Sequence, residues 1–570
     1  MEGHVSGSEV SYSAERLPPV EGRGQLGSVF AELKPPLNRE TAVYEAFRCL
    51  YCGSGETPAP CTAACPSAVD VPAFIGAIAH SEFSRAGEIV FRDNPLGGSC
   101  ARVCPVEELC EGACVLEAQA RRPVSIGRLQ RFAADAHLAD NPPRQERSVG
   151  QGQRRLKVSV VGAGPAGMAC AERLSRWGYS VTVYDARPEP GGLVRYAIAP
   201  YRLMQAPLLE EMKRMQVLGV EFRFRQAIAD EDAVRRLTSE SDAVFLGVGL
   251  GQDVAIEYPG DDLDGIWQSL QFIEQLKTGH PPAVGKRVVV IGGGNTAIDV
   301  AREALRLGAD EVTLAYRRTK AEMPAYRQEV ADAEQEGVRF RWLTAPVGFV
   351  GQDRVEFMQC QSMRLTEADE TGRRHPEPMV GSEFLLPVDT VILAVGQQRR
   401  HEWQQWVPDL DVKGGLIVVN PSTGQTSNPK FFAGGDGVNG GATVVEAVAM
   451  GKLAAEGIHG YLEPNEISAR VPKAAPSPTP LALAPQMTYR QGGASLSIDR
   501  EWCKGCNLCV DDCPVHTLAL DDSELVYVKD MSLCVLCGIC AVRCPDFVFT
   551  LDRADPISGV DSQRLPDQVV

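Results

Sequence analysis

The chain has 570 residues, 44% hydrophobic and 23% charged, with a formal net charge of −17 at pH 7. That length predicts three or four domains with ample core, and the acidity argues against nucleic-acid binding, which demands a basic surface. No run of 18 apolar residues occurs, and the opening MEGHVSGSEVSYSAERLPP lacks a basic-then-apolar leader, so a cytoplasmic protein with no membrane partner is expected.

Residues 1–40 carry several Pro and Gly and weak periodicity. They read as an extended arm suited to wrapping a partner or subunit. Residues 41–150 read as a small helical domain, with apolar residues at three- and four-residue spacing in PAFIGAIAHSEFSRAGEIV and VSIGRLQRFAADAHL. It holds eight thiols: Cys49-x2-Cys52-x8-Cys61-x3-Cys65 and Cys100-x3-Cys104-x5-Cys110-x3-Cys114. In a reducing compartment such spacing points to metal rather than disulfides. Structural zinc and iron–sulfur clusters both use such pairs. NPPRQERSVGQGQRR then reads as a polar linker.

From Leu156 the pattern becomes strand, glycine turn, helix, strand, which predicts an α/β fold. The turn reads Gly162-x-Gly164-Pro165-Ala166-Gly167, and the second strand ends at Asp185, 23 residues after Gly162. Glycines here permit a tight turn and close approach to a pyrophosphate on the helix N-terminus, and the acid is placed for a ribose hydroxyl. Two later segments resemble flavin reductases of the pyridine-nucleotide-disulfide type. One is PGGLVRY, with Gly192 and Leu193. The other is SNPKFFAGGDGVNGGATVVEAVAMGKLAA, with Gly435, Asp436, Ala442 and Thr443. The resemblance implies FAD, with Asp436 on the ribityl chain and a helix N-terminus facing the flavin pyrimidine carbonyl.

A second unit, KRVVVIGGGNTAIDVAREALRLGADEVTLAYRR, is inserted between the FAD segments. Its fingerprint is Gly292-x-Gly294-Asn295-Thr296-Ala297. Arg317 and Arg318 follow its second strand where an NAD site would carry an acid. Arginines favour a 2′-phosphate through bidentate, charge-assisted bonds, so NADPH is expected; a solvated arginine pair would leave NAD open. DAVFLGVGL and DTVILAVGQ are read as the strands where the chain crosses between the two domains.

The Pro/Ala-rich stretch from Glu463 to about Gln491 reads as a semi-rigid spacer. Beyond it, Cys503, Cys506, Cys509, Cys513-Pro514 and Cys534, Cys537, Cys540, Cys544-Pro545 write C-x2-C-x2-C-x3-C-P twice. This is the ligand pattern of a ferredoxin with two [4Fe–4S] clusters, in which the fourth cysteine of each run serves the other cluster. Cys503, Cys506, Cys509 and Cys544 should therefore form one set, and Cys534, Cys537, Cys540 and Cys513 the other.

RCLYC, CTAACP, CARVCPVEELCEGACV and PVSIGRLQRFAAD, followed by both nucleotide fingerprints, resemble the glutamate synthase small subunit and the amino-terminal half of dihydropyrimidine dehydrogenase over roughly residues 40–460. The resemblance implies two [4Fe–4S] clusters in the helical domain. One would take Cys49, Cys52, Cys61 and Cys114, and the other Cys65, Cys104, Cys110 and Gln130. Cys100 would then be a spare thiol, although a cysteine ligand there would be chemically ordinary. The eight residues between Cys52 and Cys61 exceed the family's usual gap. VRCPDFVFTLD resembles the delta component of 2-oxoacid:ferredoxin oxidoreductases.

The expected architecture is multidomain α/β: an arm (1–40), a helical iron–sulfur domain (41–150), and two nested Rossmann-like nucleotide domains. FAD would be bound by 151–255 with 390–462, and NADPH by 256–389. A linker (463–491), an α+β ferredoxin-like domain (492–555) and a tail (556–570) would complete the chain. No Ser/His/Asp arrangement or thiamine-diphosphate signature appears, so no catalytic side chain is assigned. Four [4Fe–4S] clusters, FAD and NADP(H) imply an electron-transfer subunit. The leading expectation for its partner is the catalytic part of a 2-oxoacid oxidoreductase of the 2-oxoglutarate type or a similar complex, with soluble ferredoxin as a further partner. The alternative is a glutamate-synthase-like NADPH oxidoreductase feeding a glutamine amidotransferase.

Overall fold

The computed structural model describes residues 30–53, 58–117, 121–141, 156–369, 372–464, 486–491, 494–521, 523–545 and 548–552. Most of the expected arm, linker and tail lies outside these residues. The chain divides into two compact units, one from residues 1–35 with 145–462 and one from 36–144 with 463–570.

The first unit is built on two parallel five-stranded sheets. In one the strand order is Phe431–Ala433, Ala243–Leu246, Lys157–Val161, Ser180–Asp185, Glu221–Phe224. The central strands are buried through Val158, Val160, Val244 and Phe245, the continuous apolar run that a sheet covered on both faces requires. In the other sheet the order is Ile266–Gln268, Thr390–Leu393, Arg287–Ile291, Glu311–Tyr316, Arg339–Trp342.

The expected boundary at 389/390 therefore falls inside the second sheet. Val391 pairs with Val289 and Ile392 with Val290, so the chain returns to the FAD side only after Leu393. Between Trp342 and Thr390 stands an antiparallel three-stranded sheet, Thr344–Gly351, Val355–Ala368 and Arg374–Pro387, which the motif reading did not anticipate. The described end of the arm is also tied down. Phe30 is buried against Ala199, Tyr201 and Leu276, and the Leu33 amide donates to the Tyr201 carbonyl at 3.0 Å.

In the second unit the helical part comprises Arg39–Ala46, Val71–Ala79, Phe83–Asp93, Gly97–Val103 and Ile126–Asp140, besides the single turn Pro60–Ala63. Asn38 and Asp70 cap two of these, accepting from the amides of Thr41 at 2.8 Å and Ala73 at 3.2 Å. PAFIGAIAHSEFSRAGEIV is two helices rather than one, because Ser81 adopts φ 61° between them. Gly87 lets the helix after this break press on Ile126–Asp140, since a Cβ there would lie 2.2 Å from His137 Cβ.

The carboxy-terminal part pairs Gln486–Gln491, Ala494–Asp499 and Phe549–Asp552 antiparallel, beside the hairpin Leu518–Leu520/Val526–Val528. The spacer thus ends earlier than the composition suggested. Gln486–Gln491 is the first strand of the module, held by cross-strand bonds that residue composition does not register.

Candidate functional site: a dinucleotide cleft and paired cysteine pockets

The first glycine turn follows its strand directly. Gly162 takes φ 101°, and a Cβ on it would lie 2.2 Å from the Gly247 carbonyl oxygen; one on Gly167 would lie 1.9 Å from that of Gly162. A Cβ on Gly164 would meet nothing within 4 Å, so the space above the N-terminus of helix Pro165–Arg176 is open, as a pyrophosphate needs. Asp185 stiffens the turn, its carboxylate accepting from the amides of Ala163 and Arg187 at 2.7 Å each. The Gly191 amide donates to the Ala163 carbonyl at 2.7 Å, which brings the PGG segment onto the same turn.

One cleft joins Gly162, Gly164, Pro165, Ala166 and Asp185 to Gly192, Leu193, Gly435, Asp436, Ala442 and Thr443. Gly167 stands behind it as a packing residue. The helix Val444–Leu462 starts at the cleft and packs closely on Pro165–Arg176, where a Cβ on Gly451 would lie 2.1 Å from the Ala166 carbonyl oxygen. Thr443 and Glu446 close its first turn through bonds of 2.8 and 2.6 Å. Burial pushes the Asp436 carboxyl above its ordinary value, the Ala442 amide opposes this, and Glu446 adds to it. Gln268 Oε1 and Trp403 Nε1 line the cleft, each buried without a protein partner. Such orphaned polar atoms fit a polar ligand in the cleft.

The second turn repeats this design. Gly292 would meet the Ala394 carbonyl oxygen at 2.2 Å, Gly294 opens on free space, and Ala297 is fully buried. Asn295 faces inward as a brace, its Oδ1 accepting from the Tyr326 amide at 2.9 Å. Asn295 and Thr296 also reach the large cleft, whereas Gly292, Gly294, Ala297, Arg317 and Arg318 do not line it. Arg317 is exposed and Arg318 half-buried, and Arg318 Nε is buried without a hydrogen-bond partner. An unpaired guanidinium after the second strand fits a phosphate on the adenosine ribose.

The thiols gather in groups. Cys49, Cys52, Cys61 and Cys114 line one apolar pocket with Val71, Ile75 and Leu116. Burial, then Cys49 and Cys114, push the Cys61 thiol up to about 12. Cys513, Cys534, Cys537 and Cys540 line another pocket, and the Cys509 thiol is pushed up to about 12 by burial and by Cys544, Cys503 and Cys506. Thiols crowded in this way resist ionising by themselves, and a metal centre would supply the positive charge that lets them bind as thiolates.

The remaining group is less regular. A hydrogen bond with Cys100 pushes the Cys104 thiol far up, helped by burial and by Cys110 and Cys65. Gln130 Nε2 donates to the Gly97 carbonyl at 2.8 Å, which leaves its amide oxygen as the atom suited to a metal. Among the described residues no three His, Cys, Asp or Glu side chains close to the spacing of a single ion.

Sequence reading missed a buried charge network beside the cleft. Arg202 bonds Asp299 at 2.7 Å and Glu329 at 2.6 and 2.5 Å. Arg302 and Arg306 share Glu336 at 2.7 Å, and Tyr201 donates to Asp299 at 2.7 Å. Lys277 donates to the carbonyls of Val194 at 2.9 Å and Ile198 at 2.7 Å. Burial, with Arg195, lowers the Lys277 amine to about 7 against the pull of Glu303 and Asp299. The legible signal was Asp299, Arg302, Glu303 and Arg306 at three- and four-residue spacing on one helix.

Known proteins share these parts. Residues 27–142 match the model of dihydropyrimidine dehydrogenase domain II, 4Fe-4S cluster; residues 156–451 match pyridine nucleotide-disulphide oxidoreductase; residues 502–548 match a 4Fe-4S dicluster domain. The glutamate synthase [NADPH] small chain of Halomonas elongata is 38% identical over 450 residues, 76% of this chain and 93% of that one. That of Escherichia coli is 37% identical over 451 residues, 76% of this chain and 94% of that one. The chain belongs to the glutamate synthase small-chain family.

It is an NADPH-dependent flavin and iron–sulfur oxidoreductase, as the resemblance implied. The NADP(+)-dependent formate dehydrogenase subunit beta of Moorella thermoacetica is also similar, 38% identical over 72% of this chain and 61% of that one. The 2-oxoacid delta resemblance has no counterpart in these matches, and Asp546 and Phe547 of its CPDF run lie outside the described residues. No helix among the described residues is long and apolar enough to cross a membrane.

Proposed function

We propose that this chain is the electron-input subunit of a glutamate-synthase-like complex, taking hydride from NADPH and feeding a glutamine amidotransferase partner. The carrying observation is the match along 93% of a glutamate synthase small chain, over a cleft that gathers both halves of the FAD signature. The backbone amides after Gly162 and Gly292 would hold the two pyrophosphates, Asp185 and Asp436 the FAD sugar and ribityl chain, and Arg317 and Arg318 the 2′-phosphate. When bound, the flavin supplies the change from a two-electron donor to one-electron acceptors. The chain's part is to orient the nucleotides and exclude water.

The cysteine groups would hold four [4Fe–4S] clusters: Cys49/Cys52/Cys61/Cys114, Cys65/Cys104/Cys110/Gln130, Cys503/Cys506/Cys509/Cys544 and Cys513/Cys534/Cys537/Cys540. A second reading, a 2-oxoacid oxidoreductase partner, draws on the carboxy-terminal dicluster module. The glutamate synthase match leaves about a quarter of this chain outside it.

The native complex decides between them. An amidotransferase should co-purify, and NADPH oxidation should require glutamine and 2-oxoglutarate together. NADP+ reduction driven by a 2-oxoacid and coenzyme A, with a thiamine-dependent companion, would replace this reading by the second.

A further inference from the structure

The helical part and the carboxy-terminal module are separated in the chain by residues 145–462, yet they form one compact unit. Their contact is specific. Val115, Val535 and Ile539 are all buried in one apolar cluster, packed on by Leu50, Cys52, Val515 and Cys537. The Gly53 amide donates to the Val535 carbonyl, so a backbone bond clamps the same spot. Cys52 belongs to the amino-terminal pocket with Cys49, Cys61 and Cys114. Cys537 belongs to the pocket with Cys513, Cys534 and Cys540. Of the two carboxy-terminal thiol sets, only this one enters the contact among the described residues; Cys506 of the other set is exposed, beside Trp502 at 61% exposure.

We infer that the carboxy-terminal module docks on the helical part of its own chain through Val115, Val535 and Ile539, making the Cys52 and Cys537 sets an internal electron junction. The inference rests on reading both pockets as cluster sites. A single electron crosses such a junction, oxidising one side and reducing the other, with NADPH as the ultimate donor and no proton moved at the contact. An apolar, buried seam suits this, because little solvent must reorganise as the charge moves. The set that includes the exposed Cys506 is then the end away from the seam.

The docking is tested without any assay of turnover. A protease site is inserted after Ser477 in the full-length protein, which is loaded with iron and cut anaerobically. Both fragments should co-elute at the mass of one chain, each keeping its iron. Separation of the wild-type fragments would overturn the inference, and so would co-elution at twice that mass, which would place the contact between copies. A V535E variant should separate after cutting; if it keeps its iron and still co-elutes, this seam is not what holds the module. Should V535E lose iron, amide exchange of the uncut wild type serves instead: a Gly53 amide exchanging as fast as an exposed loop rules the dock out. The electronic half has its own readout. The reduced wild type should show magnetic coupling beyond the sum of the two separated fragments. A docked, fully loaded protein whose spectrum equals that sum would overturn the junction.

Discussion

On the proposed reading, Arg317 and Arg318 carry the choice of nucleotide. Arg318 Nε is buried without a partner, a cost that a 2′-phosphate would relieve. Replacing both arginines with alanine should raise the KM for NADPH by roughly 10-fold or more, since each charge-assisted bond is worth about 1.5–3 kcal/mol. Activity with NADH should barely change, and equal losses with both nucleotides would overturn the assignment. Lys277 sets a second residue-scale expectation. Its amine is held near 7 in the fold against 10.5 when free. Below pH 7 both states are protonated and the burial penalty is complete. Between 7 and 10.5 only the unfolded chain holds the proton, so this group makes stability rise with pH. The buried Glu303 carboxyl, raised by burial and Asp299, acts in the opposite sense, so the comparison must be with a K277M variant. The thermal midpoint of the wild type should gain on that of K277M from pH 7 to 9.5. A constant difference would mean that Lys277 is charged in the fold.

At the scale of elements, the FAD cleft depends on how closely two helices approach. Gly451 sits where a Cβ would come within 2.1 Å of the Ala166 backbone oxygen, and backbone cannot yield as a flexible side chain can. G451V should push Val444–Leu462 away from Pro165–Arg176 and widen the cleft at Asp436 and Thr443. Flavin content after purification should fall well below one per chain, while the iron of the other unit is unaffected. Full flavin occupancy in G451V would show that the helix contact does not shape the site. The three-stranded insert 344–387 belongs to this scale too. Its buried Phe349, Val355, Met358 and Cys360 pack with Val289, Ile291 and Val391 of the second nucleotide sheet, so it buttresses that sheet.

For the whole molecule, anaerobically prepared protein should contain about sixteen iron atoms and one FAD per chain, from four clusters of four irons each. Zinc at stoichiometric level, or iron for only two clusters, would contradict this. A chain ended at Leu483 should lose about half of that iron. It should keep FAD and the reduction of an artificial dye by NADPH, because one compact unit contains both nucleotide sheets. Loss of the flavin on this truncation would show that the two units do not fold independently.

What the sequence determined by itself was everything governed by neighbours along the chain. Gly162, Gly292, Asp185, the arginines after Tyr316 and the two cysteine runs are legible because turns, caps and ligand spacing depend on a few adjacent residues. The tertiary structure decided what depends on residues far apart in the chain. Thr390–Leu393 looks like any apolar strand until its pairing with Arg287–Ile291 places it in the second sheet. Gln486–Gln491 reads as spacer until Ala494–Asp499 pairs with it. Cys52 and Cys537 lie in separate motifs, and only packing around Val535 and Ile539 brings them to one seam. Local backbone preference is written in short stretches of residues, whereas partner strands and buried contacts are selected by the free energy of the whole packed unit.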